Sequence, residues 1–106
     1  MKFNDLQFKE SKSPNGIQAL VQFGKYELSI IKNEMSYGNK AGLYEISPSM
    51  YYHMTKSRLP VELPGITDDG DTIKGFLSED DVDGIILKMM AISGSDGLQL
   101  KGDDDA

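Results

Sequence analysis

The chain of 106 residues contains no cysteine. That excludes disulfides, thiolate metal sites and cysteine nucleophiles, and it fits a reducing cytoplasm. Long hydrophobic runs are missing too: no stretch approaches the roughly 18 apolar residues that cross a bilayer, so no membrane association is expected. The opening MKFNDLQFKES lacks the apolar core of a secretory or transit leader, and a cytosolic location is the expectation. Clustered basic charge is the third absence. Eleven Lys and Arg, scattered along the chain, stand against seventeen Asp and Glu, giving a net charge of -6. Phosphate backbones are held by clustered cations, so direct nucleic-acid binding is not expected, whereas an acidic chain suits basic protein surfaces.

With 39% apolar and 26% charged residues, the chain has the composition of one ordinary folded domain and no room for a second. Its centre is Gly16 to Lys32, GIQALVQFGKYELSIIK, where two apolar runs turn back around Gly24-Lys25. Gly at the first central position of a two-residue loop suits a type II′ turn, which predicts Phe23 opposite Tyr26, Val21 opposite Leu28, Ala19 opposite Ile30 and Ile17 opposite Lys32. That register gathers the apolar side chains of one parity on one face. Gln18, Gln22, Glu27, Ser29 and Asn33 fall on the other, together with Leu20 and Ile31, so the second face reads as only partly polar.

Lys2 to Lys9 reads as a short, bulged strand and Ser11 to Asn15 as a loop. Residues 33–42 form a long polar connection, and Leu43 to Ser47 a third strand that Pro48 ends or confines to an edge. Residues 49–58, SMYYHMTKSR, combine strand-forming aromatics with exposed cations. Leu59 to Leu63 reads as an edge strand, and Gly65 to Gly75 as an acidic turn. A helix is predicted after Ser78, a good N-cap, with Glu79, Asp80 and Asp81 on its first turn, a Leu77/Val82 staple, a stripe of Val82, Ile85, Ile86, Met89 and Met90, and Gly94 as its stop. The expected architecture is α+β: a mainly antiparallel sheet of about four to five strands with one C-terminal helix packed on one face. The domain covers residues 1–93, and 94–106 is expected to be a flexible, polar, acidic tail whose DDDA end suits a partner or simple solvation.

Motifs that carry chemistry are scarce. Asp68-Asp69-Gly70-Asp71 invites comparison with a calcium loop and fails it: counted from Asp69, the fifth position is Ile73, the sixth Lys74 and the twelfth Asp80. His53 is the sole histidine, and no nucleophile elbow, zinc motif, P-loop or dinucleotide fingerprint accompanies it. No cofactor, metal site or catalytic residue is expected, and the chain reads as no enzyme. Tyrosines stand out more. Tyr37, Tyr44, Tyr51 and Tyr52 cluster in the middle third, either packing a sheet edge or offering the broad, polar-tipped contacts that interfaces use. Met50, Met54, Met89 and Met90 suit core filling or an adaptable surface.

One further pattern joins these parts. Met1-Lys2-Phe3, Leu6, Phe8 and Asn15 to Ala19, then Ser36-Tyr37-Gly38, Gly42-Leu43-Tyr44-Glu45 and Gly75 to Val82 (GFLSEDDV), resemble small uncharacterised proteins encoded by tailed bacteriophages and prophages, over roughly residues 1–92. The resemblance implies a phage accessory gene acting inside a bacterium, and no substrate. The resulting expectation is a non-enzymatic protein that binds a host or phage protein, inhibiting a nucleic-acid-handling or defence enzyme by occupying a basic surface. The alternative is a structural protein that self-associates as a homodimer. The candidate partner-binding residues are Tyr37, Tyr51, Tyr52, Asp68, Asp69 and Asp71.

Overall fold

A computed structural model of the chain describes residues 1–100. It contains seven strands, β1 (Lys9–Lys12), β2 (Asn15–Phe23), β3 (Tyr26–Asn33), β4 (Tyr44–Tyr52), β5 (Ser57–Pro60), β6 (Lys74–Leu77) and β7 (Leu98–Leu100), and one helix, α1 (Glu79–Ser93). The β2–β3 hairpin has the predicted register, with Phe23, Val21, Ala19 and Ile17 opposite Tyr26, Leu28, Ile30 and Lys32. Of the two turn residues only Gly24 takes a positive φ, 58°, as a type II′ turn requires. On the other side of β3, β4 places Ile46 opposite Ile30 and Pro48 opposite Leu28.

The three long strands form the middle of a fully antiparallel sheet. Each flank is shared by two short strands. Along β2, β1 pairs residues 15–18 and β7 pairs residues 20–22. Along β4, β6 pairs residues 44–46 and β5 pairs residues 49–52. The sheet therefore has seven strands where four to five were expected, because several pieces are three or four residues long and carry too little periodicity to be recognised.

Other boundaries move for the same reason. Lys2 to Lys9 is not a strand: Phe3–Asp5 forms a 3-10 turn, and pairing starts only at Lys9. The 49–58 stretch is a hairpin made by the end of β4, a turn at 53–56 and β5, and the expected edge strand at 59–63 shifts back to 57–60. β7 lies inside the segment expected to be a flexible tail; the side chain of Gln99 fastens it by donating to the carbonyls of Leu20 (3.1 Å) and Gln7 (3.4 Å). The DDDA end falls outside the described residues.

Pro48 does not end β4. In a strand the N–H and C=O of a residue point to the same side, and the Pro48 carbonyl accepts from Val61 N–H (3.0 Å) on the flank away from β3. Its missing donor thus faces the seam between β6 and β5, where no ladder bond is required.

Helix α1 covers one sheet face. Val82, Ile85, Ile86 and Met89 are buried with Ala19, Val21, Phe23, Leu28, Ile30 and Ile46 in one cluster. Ser78 caps the helix reciprocally: its hydroxyl accepts from Asp81 N–H (3.1 Å), and the Asp81 carboxylate accepts from Ser78 N–H (3.0 Å). Gly94 closes it at φ 67°, its N–H donating to Met90 (2.9 Å). The N-terminal segment plugs one end of the core. Phe3, Phe8 and Tyr44 pack in tilted and edge-on contacts with ring centroids 5.2–5.7 Å apart, Lys32 Nζ lies 4.8 Å from the centre of the Tyr44 ring, and Phe3 N–H donates to the Asp83 carboxylate.

Burial on this face and only partial burial of Leu20 on the other give a direct expectation. Phe23→Ala lowers unfolding free energy by about 3–5 kcal/mol, whereas Leu20→Ala costs clearly less; urea titration at unchanged m-value reads both.

Candidate functional site

Three sequence segments, two of them consecutive and the third some thirty residues on, meet at one corner of the sheet. In the 33–43 connection, Ser36 is fixed by its hydroxyl, which accepts from Asn33 N–H and donates to Asn33 C=O, both at 2.9 Å. Tyr37 N–H donates to Glu45 Oε1 (2.9 Å), and Glu45 on β4 is a buried carboxylate that holds the loop against the strand. Leu43 N–H closes the loop onto the Gly38 carbonyl (3.0 Å). The third segment, Gly75-Phe76, is laid across this loop, with Phe76 N–H donating to the Tyr37 carbonyl (3.3 Å). Contact is so close that a Cβ on Gly75 would stand 2.4 Å from that of Tyr37, and one on Gly38 would stand 2.9 Å from Phe76 Cα. Ser36-Tyr37-Gly38, Gly42 to Glu45 and Gly75 to Ser78 thus form a single structural unit.

The unit displays aromatic surface. Phe76 has a φ of 58°, a conformation rare for a bulky residue and costing on the order of 1–3 kcal/mol, and its side chain is 65% exposed. Tyr37 is equally exposed, and Ile73 is 43% exposed. Phe76 is a ridge between two clefts. One, of about 560 Å³, is lined by Tyr37, Asp68, Asp71, Ile73 and Lys74 among others. The second, of about 460 Å³, lies toward the helix and includes Ile66, Asp80, Asp81 and Lys88.

Charge is concentrated in the same place. Residues 62–81 hold Glu62, Asp68, Asp69, Asp71, Glu79, Asp80 and Asp81 against Lys74 alone, a local charge of -6; the remaining ten acidic and ten basic residues of the chain cancel. Part of this charge organises the corner. Lys74 Nζ pairs with Asp68 (2.8 Å), Glu62 accepts from Gly70 N–H (2.7 Å), and Lys88 donates to the Gly65 carbonyl (2.7 Å). The Asp81 carboxyl is held below its ordinary range, first by the Ser78 N–H, next by the Ser78 hydroxyl, and to a smaller extent by the positive charge of Lys74; desolvation opposes these. Among the described residues, no group of three or more His, Cys, Asp or Glu side chains is disposed to hold a metal ion.

The candidate residues divide between two places. Tyr37, Asp68 and Asp71 line the larger cleft, and Asp69 is exposed in the same turn without lining it. Tyr51 and Tyr52 are elsewhere, at the far end of β4, about 26 Å from Tyr44 for eight residues of strand. There His53 meets the edge of the Tyr51 ring at 4.9 Å, and Arg58 lies 5.3 Å from that ring's centre while pairing with Glu27 (2.8 Å). Phe76 and Ile73 were not among the expected site residues. The signal available for Phe76 was its place in GFLS, directly before the helix cap, where an apolar side chain is ordinarily read as core. Glu45 likewise gave no sign in the sequence that it would be buried.

No family model matches the chain, and no curated protein or solved structure matches it.

Two measurements probe the corner. Gly75→Ala forces Tyr37 and Phe76 apart and lowers stability by about 1–3 kcal/mol, with altered Tyr37 ring resonances in NMR spectra. The depressed folded-state carboxyl of Asp81 contributes stability that is fully present above the unfolded value, about 3.9, and is lost as pH falls through the folded one. The stability gap between the wild type and Asp81→Asn is accordingly constant above about pH 5 and narrows below about pH 4, as read by denaturation at stepped pH.

Proposed function

We propose that the protein is a non-enzymatic accessory protein of phage type, acting in a bacterial cytoplasm by docking on a basic surface of a host or phage protein. The observation that carries this reading is the coincidence, at one corner, of exposed Phe76, Tyr37 and Ile73 with the charge of -6 carried by residues 62–81. Aromatic side chains supply contact area at low entropic cost, and a one-signed field speeds encounter with a partner of opposite sign. A nucleic-acid-handling enzyme presents such a basic surface, which makes inhibition by occupation the expected consequence of docking. No helix among the described residues is long and apolar enough to cross a membrane.

Immobilised protein is expected to capture a saturable partner from bacterial lysate at physiological salt and to release it as ionic strength rises. Phe76→Asp and the Asp68→Lys/Asp71→Lys pair, each confirmed as folded by circular dichroism, are expected to lose the same partner. Equal capture by these variants, or no saturable capture by the wild type, overturns the reading.

A further inference from the structure

The end of the molecule opposite the acidic corner is its complement. Residues 50–60 contain Lys56 and Arg58, the latter paired with Glu27 of β3 (2.8 Å), and Lys25 of the β2–β3 turn adjoins them, its carbonyl accepting from Tyr51 N–H (3.4 Å), so that Lys56 and Lys25 give this end its positive charge. At the tip of the β4–β5 hairpin, Met54 is 97% exposed and Tyr52 39%. This tip is apolar at its point and cationic at its base. The corner cleft carries the opposite charge: Tyr37, Ile73 and Phe76 line it beside Asp68, Asp71 and Lys74, and because Lys74 pairs with Asp68, Asp71 is the lining charge that no ion pair among the described residues offsets.

From this pairing we infer that the cleft receives the β4–β5 hairpin tip of a second copy of the same chain, so that molecules join head to tail. The inference rests on the reading of the corner as a docking site and names one occupant for it. Charge complementarity selects that occupant: the tip and the cleft carry opposite signs and occur in equal numbers. Met54 is the anchor, since an unbranched thioether adapts to an irregular cleft. Lys56, which has no ion-pair partner among the described residues, meets Asp71, which has none either. Tip and cleft lie at opposite ends of β4, so each added copy presents a fresh cleft or a fresh tip. Such a heterologous contact extends into a row and does not close on itself as an isologous dimer would.

Sedimentation equilibrium of the full chain at high micromolar concentration and low salt tests this. The expected result is a weight-average mass that climbs past twice the monomer value with concentration and falls back toward the monomer at about 0.5 M salt, where the screening length is only a few ångströms. Met54→Asp, which keeps the cleft, and Phe76→Asp, which keeps the tip, are each expected to be monomeric. Mixed in equal amounts, they regain one intact tip and one intact cleft, and the mixture stops at a one-to-one heterodimer. A wild type that remains strictly monomeric, a closed dimer indifferent to Met54→Asp, or a mixture that fails to complement overturns the inference. If self-association fails while Phe76→Asp still abolishes partner capture, the docking role of the corner stands and only the identity of its occupant falls.

Discussion

Everything in this fold depends on the pairing of β2 with β3. Gly24 turns the chain with a twist that matches the strands, and one register then gathers Ala19, Val21, Phe23, Leu28 and Ile30 on the face that receives the helix. A slip by one residue exchanges this set for Gln18, Gln22, Glu27 and Ser29. The helix stripe would then have nothing to cover, and the flanking strands would lose the edges on which they form. Because β3 is central, β4 inherits its register and carries it to the corner through Tyr44, Glu45 and Ile46.

What the sequence disclosed follows the length of each signal. The hairpin and α1 extend over many residues with steady periodicity and recognisable caps, so register, N-cap and stop were all legible. β1, β5, β6 and β7 are three or four residues long, and their pairing is decided by which edge of β2 or β4 is open. Leu98-Gln99-Leu100 has the alternation of a strand, but only its placement beside Leu20 and the hydrogen bonds of Gln99 make it one. Pro48 misled for a related reason: a proline breaks a ladder only where a donor is required, and that depends on neighbours brought in from residues 61 and 74.

The corner was half legible. Tyr37 and the acidic turn are conspicuous as residue types, and the Ser36-Tyr37-Gly38, GLYE and GFLS stretches stand out as patterns. Their meeting is a tertiary fact. It needs the buried Glu45 to hold the Tyr37 backbone and two glycines to let the segments touch. Phe76 is the clearest case. Its sequence position suggests core, and the left-handed backbone that turns it outward is imposed by the crossing of Gly75 over Tyr37. The division of charge has a similar origin. The total of -6 describes no part of the molecule well, because residues 62–81 alone carry that much and the tip at the other end is cationic.

The seam at Pro48 has a consequence for how the protein keeps to itself. Where two short strands share a flank, the strand behind them is left uncovered at the join, and an uncovered main chain invites pairing with any extended peptide. At this join β4 offers no hydrogen to donate, and its one carbonyl is already engaged by Val61. A foreign strand entering the gap would find neither half of a ladder rung. Proline in the middle of a long strand thus acts as a plug, letting the sheet be assembled from fragments without leaving a slot through which it could be extended.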